Sequence, residues 1–447
     1  MVKLVTFRVL DGIAVITLNA PPTNAVSAPV RTALWDAFVR VAADDAIKGV
    51  ALVCAGSFMT PRTDMDGNDI PSERPALGVL CDQIEGCEKP VVMAVQGETP
   101  GAVCEILLAA HYRLAGADAR VGLPAVTQGL VPSGGGTQRL PRLIGAARSL
   151  QMIVSGNSMD AAAAQRAGLI DGIVLGDLTS GAVVFAQNLL QTGRGPRRTR
   201  DNRSVFKEAR TYLAAISKAR TALADTPLFA PKRAIECVEA AMLLPFDAGI
   251  ALEADAFARC LAHPQSRALR HIFLAERHID DALMVPEGGT FYPVAPMGKA
   301  VVFRLRTVLQ TAAAHMVATG MSQATVDGAL VAFGFHKGLF GGRNAGASPP
   351  EVMRKLLAAL VVEGLMCVDQ QAVQRPCDID ALAVHGLGFP RRHGGPMRAA
   401  HTMGLIKLRA DLRDWGQENP VWAVPELLDE AIKDARGFDA LGLPLGQ

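Results

Sequence analysis

The sequence predicts an α/β domain followed by an all-helical region. Three observations predict it. Short β-rich apolar runs alternate with helical patterns through residues 1–191. Residues 203–281 are helical in pattern almost throughout. From Gly298 the pattern is helical again, and it repeats itself.

Each element follows from local pattern. Residues 3–9 and 12–18 flank Leu10-Asp11 and read as a β-hairpin. Residues 29–44 have helical spacing. Residues 49–54 and 90–96 are apolar and β-rich, and a glycine-containing loop follows each. Helical patterns return at residues 101–110, 145–155 and 160–167. The polar, basic stretch TGRGPRRTRDN (residues 192–202) reads as a boundary on the surface. PEGGTFYPVAP (residues 286–296) reads as a second linker, rich in Pro and Gly. The predicted domains are residues 1–195, a helical linker region at 196–285 that completes the first domain, and residues 296–447.

The last region holds two similar units. SQATVDGALVAFGFHKGLFGG (residues 322–342) and RPCDIDALAVHGLGFPRRHGG (residues 375–395) each follow a long amphipathic helix. Each keeps an Asp (Asp327, Asp380), then Gly-Phe, then a basic stretch, then Gly-Gly. Two such units share a core that neither builds alone.

Composition bounds the function. A chain of 447 residues exceeds one ordinary core. A formal charge of +2 gives no basic field for nucleic acid. Apolar runs such as residues 91–95 and 106–110 break well before the ~20 residues of a membrane span. The opening MVKLVTFRVLDG lacks the shape of a signal peptide. The eight cysteines form no CxxC and no zinc spacing, so no metal site is expected. They read as reduced packing residues of a cytoplasmic protein.

The chemistry-bearing stretch is KPVVMAVQGETPGAVCEILLAAHYR, residues 89–113. A strand ends at Gly97, and Pro100-Gly101 turns into a helix near Ala102. The first N–H groups of a helix lack internal partners, so they can hold an oxyanion. Glu105 lies one turn inside. By composition alone it reads as an acid complementing the helix dipole. Residues 120–148, RVGLPAVTQGLVPSGGGTQRLPRLIGAAR, form a glycine-rich segment without a single acid.

These motifs, in this order, resemble the crotonase (enoyl-CoA hydratase/isomerase) superfamily. PPTNAVS (residues 21–27) is similar to its Pro-Pro-x-Asn-Ala-x-Ser. SRALRHIFLAER (residues 266–277) resembles the helix that closes the hydratase part of multifunctional hydratase/3-hydroxyacyl-CoA dehydrogenases. The repeat after Gly298 resembles the helical pair ending their dehydrogenase part. The resemblance therefore implies a crotonase-like ββα spiral domain, a helical linker and a dehydrogenase C-terminal-like helical pair.

It also implies a site. The family binds acyl-CoA and holds the thioester oxygen between two backbone N–H groups. Those places are Ala102 and Thr63, the latter just before Asp64. Of the family's two proton-handling glutamates, the first place is Glu105. The second is Ala125, so that acid is lost. Glu98 is a candidate replacement. Arg62 is a candidate contact for a CoA phosphate. Asp64, Asp66, His111 and His393 read as structural. The multifunctional enzymes carry an NAD-binding unit where this chain has about ten residues, and no Gly-x-Gly-x-x-Gly occurs anywhere. The expected cofactors are none beyond the coenzyme A of the substrate, with no NAD and no dehydrogenase step. One acid and an oxyanion hole leave a hydratase or isomerase of a β-oxidation-like pathway. The alternatives are a C–C or thioester hydrolase or lyase on a CoA substrate, or a non-catalytic acyl-CoA-binding scaffold. A thiolase is the candidate partner, and a crotonase-type trimer is not expected.

Overall fold

The computed structural model describes residues 4–21, 24–54, 75–287 and 290–441. The chain divides into two compact units, Met1–His263 and Pro264–Gln447.

In the first unit, β1 (Val5–Leu10) and β2 (Ile13–Leu18) pair antiparallel, with Leu10 opposite Ile13 across the two-residue turn Asp11-Gly12. Such a turn matches strand twist. Then come α1 (Ala28–Ala43), β3 (Gly49–Cys54), α2 (Leu77–Gly86), β4 (Val91–Val95), β5 (Glu98–Pro100), α3 (Ala102–Ala109), β6 (Tyr112–Gly116) and β7 (Arg120–Gly122). They are followed by α4 (Gly136–Ser155), β8 (Met159–Asp160), α5 (Ala161–Ala167), β9 (Gly172–Val174) and α6 (Leu178–Gln191). Three longer helices end the unit: α7 (Ala209–Ala222), α8 (Phe229–Leu243) and α9 (Phe246–Ala262).

The main sheet runs β1-β2-β3-β4-β6-β9, parallel from β2 onward. Strands β3 and β4 are buried along their whole length, as a parallel sheet covered on both faces requires. Their side chains alternate between two cores. Val50, Leu52, Val91, Met93 and Val95 join the larger core with α1–α4. Ala51, Val53, Val92 and Ala94 meet Leu178, Ala182, Ala186 and Leu189 of α6. A small sheet, β5-β7-β8, sits before the candidate helix, with Glu98 opposite Arg120 and Pro100 opposite Gly122. The helix expected at residues 145–155 begins earlier, at Gly136, with a break in its axis at Gly145.

The second unit begins with α10 (Pro264–His278). The stretch read as a linker, residues 286–296, instead contributes to a hairpin of β10 (Met284–Glu287) and β11 (Thr290–Pro293). Val285, Phe291 and Tyr292 carry β propensity that the Pro and Gly around them masked in the sequence. Helices α11 (Met297–Ala318), α12 (Gln323–Phe333), α13 (Pro350–Asp369), α14 (Pro376–Leu382), α15 (Pro396–Met403), α16 (Leu405–Trp415) and α17 (Glu426–Lys433) complete it around one core. The repeat is physical. Asp327 on α12 accepts the N–H groups of Phe340 (3.0 Å) and Gly342 (2.7 Å). Asp380 on α14 accepts that of Met397 (2.7 Å) just beyond the second Gly-Gly. Each aspartate closes the glycine turn of its own unit.

Two carboxylate clusters tie α10 into this unit. His271 Nε2 lies 2.7 Å from Asp380, and Glu276 binds His385 (2.6 Å) and Arg391. Among the described residues no helix is long and apolar enough to cross a membrane. All eight cysteines are free.

Candidate active site

The strand β5 ends at Pro100, and the chain must turn sharply to start α3. Gly101 makes that turn at φ 55°, ψ −121°, a conformation closed to residues with a Cβ. Its N–H donates to Gly122 of β7 (2.9 Å), and its carbonyl accepts the N–H of Glu105 (2.9 Å). Ala102 is therefore the first helical residue, and its N–H has no partner within the helix. This is where the sequence placed one oxyanion donor. The other, Thr63, lies outside the described residues, as do Arg62, Asp64 and Asp66.

Glu105 is only 3% exposed. Its carboxylate reaches the glycine turn before α4. Oε2 accepts N–H groups from Gly134 (2.6 Å) and Gly136 (2.9 Å). Oε1 has a single long bond, 3.3 Å, from Ser133. Oε1 is thus the less committed oxygen, and Ser133 is itself exposed. Burial raises the Glu105 pKa above the ordinary carboxylate value, opposed by these N–H groups and by Arg139.

The same turn is held from its other side by a residue the sequence reading missed. Glu253, on α9 and 1% exposed, accepts the N–H of Gly135 (2.6 Å) and both the N–H (2.8 Å) and hydroxyl (2.5 Å) of Thr137. Burial and the neighbouring Glu105 charge raise its pKa. A signal was present: Gly249, Glu253, Ala256 and Cys260 form one buried stripe at helical spacing, so the acid sits where an apolar residue belongs. Gly135 itself adopts φ 91°, and a Cβ there would meet the Arg139 guanidinium at 2.1 Å. Arg139, fully buried, donates to the Gly134 carbonyl (2.8 Å), to Glu85 (2.8 and 3.0 Å) and to Asp82 (2.8 Å).

Ala125 lies in a 3₁₀ turn, Pro124–Gln128, packed against the core, and supplies no polar group. Glu98 is not brought into this cluster. Its side chain is 55% exposed, and its carboxylate lies 3.5 Å from Arg120. The register of β5 explains this: Thr99, not Glu98, takes the buried face.

His111 is a packing residue. Its Nδ1 accepts the N–H of Val91 (3.0 Å), which leaves Nε2–H to donate to the Glu85 carbonyl (3.0 Å). Burial lowers its pKa. In the second unit, His393 stacks on Phe333 (4.0 Å) and bonds the Phe333 carbonyl (3.0 Å). No group of three or more His, Cys, Asp or Glu among the described residues could hold a metal ion.

Comparison with known proteins decides the family. Residues 8–224 match the family Enoyl-CoA hydratase/isomerase. That part of the chain belongs to the enoyl-CoA hydratase/isomerase family. The peroxisomal bifunctional enzyme of Cavia porcellus is 31% identical over 327 residues, 72% of this chain and 45% of that protein. The human peroxisomal bifunctional enzyme is 34% identical over 273 residues, 60% of this chain and 38% of that protein. The chain thus spans less than half the length of these relatives. A crystal structure of an enoyl-CoA hydratase from Mycobacterium avium subsp. paratuberculosis K-10 is similar at 24% identity. It covers 62% of this chain and 97% of that one, with a TM-score of 0.42. The N-terminal part of the chain is a crotonase-like α/β domain, and a helical region follows it.

Proposed function

We propose that the first unit acts on an acyl-CoA thioester with a single acid–base carboxylate, Glu105, in enoyl-CoA hydratase or isomerase chemistry of a β-oxidation-like pathway. One observation carries this reading. A buried glutamate with a raised pKa and one loosely bonded oxygen lies a single helical turn from an uncommitted helix N-terminus.

The Ala102 N–H, with that of Thr63, polarises the thioester oxygen. The charge that develops there on loss or gain of a proton beside the carbonyl is thereby stabilised. Glu105 Oε1 takes or gives that proton. With Ala125 in place of a second acid, moving one proton between two carbons fits better than adding water, which needs activation at one carbon and protonation at the next. Isomerisation of a double bond, or cleavage next to a carbonyl, is therefore favoured over fast hydration.

Glu98 is not needed in this scheme. Coenzyme A belongs to the substrate, and the scheme uses no NAD. The relatives named bifunctional are so named for their whole length, and we assign no dehydrogenase step to this chain. From the resemblance we further infer that the chain is not a crotonase-type trimer, that a thiolase is its candidate partner, and that it works in the cytoplasm. The animal relatives are named for the peroxisome, and free cysteines suit either reducing setting.

A second reading has its own observation. Three N–H groups converge on Glu105, as they would on an anchor, which favours a non-catalytic acyl-CoA-binding subunit. Two measurements separate them. Calorimetry with acyl-CoA tests binding, and mass spectrometry over a panel of enoyl-, 3-hydroxyacyl- and 3-oxoacyl-CoA thioesters tests turnover. Binding without any turnover selects the scaffold. No binding up to millimolar concentration refutes both.

A further inference from the structure

Five consecutive backbone N–H groups, from Ser133 to Thr137, are divided between two buried carboxylates. Those of Ser133, Gly134 and Gly136 go to Glu105 on α3. Those of Gly135 and Thr137 go to Glu253 on α9. A helix from each side thus grips one turn of backbone, and neither carboxylate can shift without moving the partner atoms of the other. The Glu253 grip is braced further. The Gln138 amide donates to the Thr137 hydroxyl (2.9 Å) and to the Cys237 carbonyl of α8 (2.9 Å), which turns the Thr137 hydroxyl proton toward Glu253.

We propose that Glu253 is a positioning residue for Glu105: by holding the far side of the 133–137 turn, it sets where the Glu105 carboxylate sits and which of the two carries charge. The proposal rests on Glu105 being the acid–base group. It goes beyond that reading by naming a second carboxylate that never meets substrate.

The charge asymmetry follows from the surroundings. Glu105 is faced by Arg139 from α4, whose positive charge favours its anion, and by the neutral thiols of Cys104 and Cys81. Glu253 is faced by Thr137, by the Cys237 thiol of α8 and by Glu105 across the turn. Two anions gripping adjacent amides in a buried site repel strongly, so the pair loses its protons in two separated steps. Glu105 ionises first and Glu253 second. Between the two steps the turn carries one negative charge, on the carboxylate nearer the helix start that would meet the thioester. Ionisation of Glu253 at higher pH then changes the proton affinity of Glu105 without touching its hydrogen bonds.

The test uses the full chain with ¹³C-carboxyl-labelled glutamate. The two buried resonances are assigned by their loss in Glu105→Gln and Glu253→Gln. In the unaltered chain Glu253 titrates well above the ordinary carboxylate range. In Glu105→Gln its midpoint drops by about one pH unit or more, because the opposing charge is gone. This arm keeps Glu253 and its turn intact, so it decides the matter even if Glu253→Gln folds poorly.

The kinetic arm follows kcat and KM against pH on whichever CoA thioester is turned over. Glu253→Gln is expected to lower kcat by about tenfold or more, with KM nearly unchanged, and to erase an alkaline inflection present in the unaltered enzyme. A Glu253 midpoint that stays put in Glu105→Gln overturns the proposal. So does a Glu253→Gln enzyme that melts earlier yet keeps kcat and its pH profile, since that marks a purely structural acid. Absence of any turnover in the unaltered chain refutes the functional reading instead, and the carboxyl titration then still supports or overturns the coupling.

Discussion

Replacing Glu105 separates its two candidate roles, because glutamine and alanine remove different things. In Glu105→Gln the amide oxygen takes the place of Oε2 and keeps the N–H groups of Gly134 (2.6 Å) and Gly136 (2.9 Å). The amide NH₂ then faces the Ser133 N–H, so only the 3.3 Å bond is lost. That bond is worth about 1 kcal/mol at most. Removing a buried charge offsets part of this loss. The melting temperature of the first unit should therefore move by no more than about 2–4 °C. Turnover should behave otherwise, since the amide cannot exchange a proton. Loss of a positioned general acid or base typically costs about 10²–10⁴ in rate, or roughly 3–5 kcal/mol of barrier.

Glu105→Ala removes the acceptor altogether. The Gly134 and Gly136 N–H groups would then be left buried without partners, at about 1–3 kcal/mol each. The alanine variant should melt far earlier than the glutamine variant. Mass-spectrometric turnover, calorimetric acyl-CoA affinity and differential scanning calorimetry, run on both variants, give the comparison. An amide variant that turns over a CoA thioester within about threefold of the unaltered rate would remove Glu105 from the chemistry and leave it an anchor.

The other expectations are more compact. Ala125→Glu should raise hydration of a simple enoyl-CoA, followed by loss of enoyl absorbance, since it restores an acid on the 3₁₀ turn that resembles the family's second position. Gly135→Ala should destabilise the first unit by about 3 kcal/mol or more, seen as a large fall in melting temperature, because φ is 91° and the new Cβ would lie 2.1 Å from Arg139. The first unit should also lose stability with rising pH. Burial and the neighbouring Glu105 charge raise Glu253 in the fold to about 8 from its ordinary value of 4.5, so its contribution is fully present below about pH 4.5 and lost as pH climbs through about 8. Calorimetric scans from pH 5 to 9 should show this slope, and Glu253→Gln should flatten it. The second unit has an opposite dependence at Glu276. Burial works against its charge, but Arg391 and His385 outweigh it and hold its pKa down. That stability is present above the ordinary glutamate value and is lost as pH falls through the lowered one, so acid scans should soften this unit.

The sequence made the order of elements legible where one local rule dominates. The apolar, β-rich runs at residues 49–54 and 90–96 meant strands, and the two strands found there are buried along their whole length. The Asp-to-Gly-Gly repeat meant two similar units, and in the fold Asp327 and Asp380 each close the glycine turn of one. Local rules failed at residues 286–296, where Pro and Gly read as linker but the apolar residues between them pair as a hairpin. Glu98 failed for a different reason: nothing in a loop sequence reveals which way a three-residue strand faces, and its register with Arg120 turned the acid outward.

The site shows the same division more sharply. The place of Glu105 one turn inside a helix was legible because it sits four residues from a helix-starting glycine, inside one contiguous motif. Its surroundings were not, because they are assembled from α2, α4 and α9, and Glu253 is distant from Glu105 in sequence. A glycine run read alone says only that the backbone bends. Which N–H groups that bend exposes, and to which carboxylates, depends on helices packed from elsewhere. Acids on buried helical stripes, Glu85 beside Ile84 and Glu253 between Gly249 and Ala256, are the trace such assembly leaves in a sequence. An acid on an apolar stripe must find donors in the fold. In this chain one finds Arg139 and the other finds the turn that holds Glu105.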